Sequence, residues 1–132
     1  AQSGRALDAI RHYQEALRIT PEYAEAHRNL GLALEQTGRV REAIEHLRAA
    51  NRLLPTVPDT YIQLAKALGQ DGRFAEAIAT LQSGLSTNAP NPAIANEYAW
   101  LLVTCPVPEL RNAPQAIQIG EELVKATARR SP

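Results

Sequence analysis

The 132 residues suffice for one compact domain or one short repeat array able to bury a useful core, and no second domain is expected. Fourteen Lys and Arg balance fourteen Asp and Glu, so the formal charge is zero, which argues against a general affinity for nucleic acid or anionic lipid; any such partner needs a local patch. Ala and Leu are abundant, aromatic residues make up only 5%, and β-branched residues are scattered, a mix that predicts an all-α chain.

The chain opens at Ala1 without an initiator and contains no Met, which points to an excised or processed piece of something longer. The first predicted helix, 4–19, carries Ala9, Ile10, Tyr13, Ala16 and Leu17 as an apolar stripe, and Pro21 follows it. The next, 22–37, has Leu30, Gly31 and Leu34 on one face and stops before Gly38, a residue free to take positive φ at a reversal. Residues 40–53 form a third helix through Ala43, Ile44, Leu47 and Ala50, and Pro55 closes the unit because proline cannot continue a helix it did not start. The pattern then recurs 34 residues on: Leu64, Ala65 and Leu68 in a helix at 57–70, Gly72 at the turn, and Ala77, Ile78 and Leu81 in a helix at 74–87. A sixth helix at 92–104 repeats Tyr98, Ala99 and Leu102 in the same places. Its partner comes late, because Pro106 replaces the turn glycine and an enlarged loop, 105–112, delays Ala116 and Ile117 to a helix at 112–128.

One period back, only the second half of a unit is present. The expected organisation is a single array: a half unit at 1–21, units at 22–55 and 56–90, and a terminal unit at 91–130. Gly31, Ala43 and Ala50 are notches on the apolar faces that let neighbouring helix backbones approach.

Leu30-Gly31, Leu34, Ala43, Leu47, Ala50 and Pro55, then Tyr61, Leu64-Ala65, Leu68, Ala77 and Leu81, resemble the signature of the tetratricopeptide repeat over nearly the whole chain. His27 stands where that signature has its first aromatic, Leu replaces most later aromatics, and Gly84 replaces an alanine. The last unit also resembles final repeats of bacterial tetratricopeptide proteins, which implies a bacterial source and a natural carboxyl end.

The resemblance implies an α-solenoid of stacked antiparallel hairpins, with first helices lining a concave groove that captures a peptide or helix. Groove positions carried over from the family are Arg28, Leu32 and Glu35, then Ile62 and Lys66, then Asn96 and Trp100. Leu32, Ile62 and Trp100 occupy places where chaperone-binding relatives hold a terminal carboxylate with Lys, Arg and Asn, so that partner class is rejected. Trp100 is either a binding anchor or packed beneath the enlarged loop. Arg28 and Lys66 either meet an acidic ligand or pair with Glu25, Glu35 and Asp59 alongside, as solvated ions do.

Catalytic signals are missing. His12 and His46, one period apart on second helices, would be separated by about a helix-packing distance of 8–10 Å, too far to share a metal. Cys105 is the only cysteine, has no histidine near it in sequence to activate it, and reads as a small turn residue. No phosphate loop, paired-carboxylate spacing or serine-nucleophile signature occurs, so neither enzyme activity nor a cofactor is expected. No apolar run approaches the roughly 18 residues of a membrane span, and no signal segment opens the chain, which leaves a soluble segment, cytoplasmic or periplasmic. The expected function is a protein-interaction scaffold; self-association through the apolar face of helix 4–19, or service as an accessory domain of a larger enzyme or membrane protein, are the alternatives.

Overall fold

The computed structural model describes residues 2–88 and 91–130, and side chains for 4–88 and 91–126. The chain ends at 1 and 131–132, and the close of the third unit at 89–90, lie outside these residues. Seven α-helices and no strand are found among them: α1 (Gln2–Ile19), α2 (Ala24–Gln36), α3 (Val40–Leu53), α4 (Pro58–Gln70), α5 (Phe74–Asn88), α6 (Pro92–Thr104) and α7 (Ala113–Arg130). Contacts step along the chain: α1 on α2, α2 on α3, and so on to α6 on α7, with α4 also touching α2 and α6. A stack of hairpins has such a pattern, whereas a globule gathers its helices about one centre.

The expected elements are present, with ends shifted for local reasons. A turn in which the Tyr23 amide donates to the Thr20 carbonyl delays α2 to Ala24. Pro58 opens α4 and Pro92 opens α6, where a missing N–H costs nothing. Asn112 lies just outside α7 as its cap, its side-chain oxygen accepting from the Gln115 amide at 3.1 Å.

Both turn glycines are left-handed, with φ of 82° at Gly38 and 78° at Gly72. Each lets the following arginine amide, of Arg39 and Arg73, return to the carbonyl of Leu34 and Leu68 at 2.8 Å, which satisfies a helix-end acceptor. Inside the hairpins, Gly31 admits Leu47: a Cβ there would stand 2.7 Å from the Leu47 Cγ. Gly84 admits Tyr61 in the same way, with a Cβ 2.9 Å from the ring. This explains the glycine at 84, since His27 and Ala50 hold the places of Tyr61 and Gly84 one period earlier: the larger ring faces the smaller partner.

The core runs as two clusters, Ile10, Leu30, Ala33, Leu34 and Ala43 at one end, and a longer one from Ile44 through Leu68, Leu81 and Tyr98 to Ala116. Each buried leucine contributes about 1.5–3 kcal/mol of transfer free energy. The Ala116-Ile117 pair keeps only half its expected register: Ala116 is buried, but Ile117 is exposed whereas Ile44 and Ile78 are not. Ile44 and Ile78 lie in the cluster shared with the following first helices, and no described helix follows α7.

Candidate binding surface

The first helices α2, α4 and α6 lie side by side, and their facing side chains are tied from one helix to the next. Arg28 Nε donates to the Gln63 side-chain oxygen at 3.1 Å, and its guanidinium lies 3.7 Å from Asp59. Gln70 donates to Glu35 at 2.9 Å, and Lys66 stands 3.8 Å from Glu97. Arg28 and Lys66 are thus each met by an acid of the next first helix. These pairs face solvent and are worth under about 1 kcal/mol each, so they offer no concentrated field to an acidic ligand.

Asn96 is exposed, Trp100 is 69% exposed and Val103 52%, all on α6 at spacings of three and four that share one helix face. Trp100 therefore does not pack beneath the loop after α6. That loop closes on itself: Arg111 donates to the Cys105 carbonyl at 2.6 Å, the Asn112 amide donates to the Leu102 carbonyl at 2.8 Å, and Pro108–Leu110 form one 3-10 turn. These bonds tie the loop back to the end of α6, and the indole stays exposed. Cys105 is buried there as a free thiol. Ile62 is half-buried and packs against the longer core cluster, which limits what it can offer a ligand.

Leu32 lines an open cleft of about 1060 Å³ with Ala6, Leu7, Ala9 and Tyr13 of α1 and Asn29 and Gln36 of α2. Advancing by one period maps these walls onto Ala43 and Leu47 of α3 and Gln63 and Gln70 of α4, and there the space is filled by α2. Gly31 sits against Leu47, Arg28 bonds Gln63 and Glu35 bonds Gln70. The cleft has the form of a seat for one helix.

Sequence reasoning missed one cluster. Register directed attention to His12 and His46, but the partner of His46 is His27, whose Nδ1 lies 3.1 Å from the Nδ1 of His46 across the α2–α3 hairpin. Burial, and then the neighbouring His27 charge, hold the His46 pKa below the ordinary imidazole value. No group of three or more metal-ligating side chains occurs among the described residues, so the histidine pair lacks a third ligand. No helix among them is long and apolar enough to cross a membrane.

A TPR repeat family model matches residues 1–38, and a tetratricopeptide repeat model matches residues 36–101, half of the chain. Among solved structures, MamA from Desulfovibrio magneticus RS-1 superposes with a TM-score of 0.77 at 15% identity, covering 98% of this chain and 70% of that one. Another MamA crystal structure gives 0.76 at 22% identity, with 94% and 70% covered. A Thermobaculum terrenum O-GlcNAc transferase mutant gives 0.70 at 22% identity over 94% of this chain but only 23% of its own. At such identities the likeness is one of fold alone. No curated protein matches the sequence.

Proposed function

Because the chain belongs to the tetratricopeptide repeat family, and so is a protein-interaction scaffold, we propose that it holds a peptide or helix along the face formed by α2, α4 and α6. The observation that carries this reading is the exposed tryptophan. An indole costs little conformational entropy to fix and buries a large area, and Trp100 stands with Val103 on the face that carries the paired ions, in register with Leu32 and Lys66. The ligand this favours is anchored by apolar side chains with few net charges, since Arg28 and Lys66 already have acidic neighbours. Trp100 is the only tryptophan, so its emission reports on the surface without a label. Peptides of about 15 residues selected from a random library should shift that emission to shorter wavelength, and Trp100→Ala should weaken their binding by at least about 2 kcal/mol. Equal binding by wild type and Trp100→Ala defeats the proposal.

The cleft between α1 and α2 favours a second reading, self-association in which a second copy lays a helix against the face of 4–19. Light scattering across a concentration series, with Leu32→Glu as the blocking variant, tests it. A monomer at every concentration removes it.

A further inference from the structure

The neutral total of the chain hides a segregation of charge. The first helices α2, α4 and α6 carry Glu25, Glu35, Asp59 and Glu97 against Arg28 and Lys66, an excess of acid, and the rest of the chain holds the matching excess of base. Both bases of this face are already held, Arg28 3.7 Å from Asp59 and Lys66 3.8 Å from Glu97. The acids left over are Glu25 and Glu35, both on α2, and neither forms an ion pair among the described residues. Glu35 is half-buried, and what meets it is the neutral amide of Gln70, which donates to one carboxylate oxygen at 2.9 Å. A carboxylate partly withdrawn from water and without a counter-ion attracts a cation more strongly than a fully hydrated one.

The apolar part of the face lies at the other end. Glu35, Gly69 and Val103 stand one period apart on α2, α4 and α6, and Leu32, Lys66 and Trp100 form the row beside them. A Cβ at Gly69 would meet only Phe74 Cε1 within 4 Å, at 3.8 Å, so the middle of the first row is open. At its far end Val103 and Trp100 are exposed, 52% and 69%. Two steps between neighbouring first helices set Glu35 and Val103 about 16–20 Å apart, a distance that an extended segment crosses in about five or six residues.

On the reading that α2, α4 and α6 form the docking face, we propose that its occupant is an extended segment, apolar at one end and basic at the other. The apolar end covers Trp100 and Val103, and a Lys or Arg about five or six residues away meets Glu35. The indole supplies the buried area, and the carboxylate fixes the sense in which the segment lies. An acidic segment is disfavoured, because its carboxylates would approach Glu35 and Glu25 while Arg28 and Lys66 are engaged by Asp59 and Glu97.

Three synthetic peptides test this on the full chain, each with blocked ends, two leucines, a five-residue neutral spacer and a closing pair of Lys, Gln or Glu. Binding is read from Trp100 emission. The Lys peptide should bind at least about threefold more tightly than the Gln peptide in low salt, with the gain shrinking as salt rises, and the Glu peptide should bind most weakly. Shortening the spacer to one residue should remove most of the gain. Glu35→Gln, which keeps a partner for Gln70, should also remove most of it while leaving the Gln peptide bound as before; Glu121→Gln, on α7, should leave the gain intact. A gain that survives Glu35→Gln or the short spacer, or that Glu121→Gln removes, overturns the proposal. Equal binding of all three peptides at Trp100 overturns the charge preference and leaves the docking face standing, whereas no Trp100 response to any of them overturns both.

Discussion

Gly84→Ala exposes the packing logic most sharply, because the intrinsic and tertiary effects have opposite signs. In a helix interior the change ordinarily gains about 1 kcal/mol. Here the new methyl would stand 2.9 Å from Tyr61 Cγ and 3.1 Å from its Cβ, at the root of a ring that cannot swing away as a flexible side-chain end can. Tyr61 is 4% exposed, and its hydroxyl is committed to the Pro55 carbonyl. Overpacking of this kind costs about 1–3 kcal/mol. Displacing the ring also gives up a hydrogen bond worth about 1 kcal/mol. The net is a destabilisation of about 1–3 kcal/mol, a fall in Tm of roughly 3–5 °C for each kcal/mol in a chain of this length. Urea unfolding followed by far-UV circular dichroism measures it. Gly120→Ala, where a Cβ meets nothing within 4 Å, is the control and should gain up to about 1 kcal/mol. Tyr61→His combined with Gly84→Ala copies His27 and Ala50 and should recover most of the loss. Wild-type or higher stability in Gly84→Ala would refute the close-approach argument.

The turn glycines respond for a different reason: Gly38→Ala and Gly72→Ala place a Cβ at φ near +80° and should each cost about 1–2 kcal/mol by the same unfolding assay. Thr60 is fully buried, donating to the Val57 carbonyl at 2.8 Å with Asn51 3.1 Å away, so Thr60→Val should cost about 1–2 kcal/mol despite its similar shape. Trp100→Ala should change stability by less than about 0.5 kcal/mol, separating its role from folding. Lys66→Ala should cost under about 1 kcal/mol, with the difference shrinking further in high salt.

The sequence carried the period, the helices and the turn glycines because local and global preferences agree there: the same residues that punctuate a helix also fit its neighbour. Gly84 was visible only as a departure, since its cause is the ring of Tyr61 on another helix. The exposure of Trp100 depended on where the loop from Cys105 to Asn112 places its backbone, and no periodicity governs a segment that interrupts the repeat. Ile117 stands in the place of Ile44 and Ile78 yet is exposed, because burial at that place is supplied by the helix that follows. The histidine pair was missed because alignment joins residues one period apart, whereas the hairpin turn at Gly38 joins His27 to His46 across its two arms. A clue was present: His27 stands at the aromatic position of its unit, as Tyr61 does in the next.

The most direct test of docking on the first helices is chemical-shift mapping of the full chain with a peptide selected from the random library. The expected result is a continuous set of perturbed amides on α2, α4 and α6, together with the Trp100 indole. Perturbations confined to α3, α5 and α7 would contradict it.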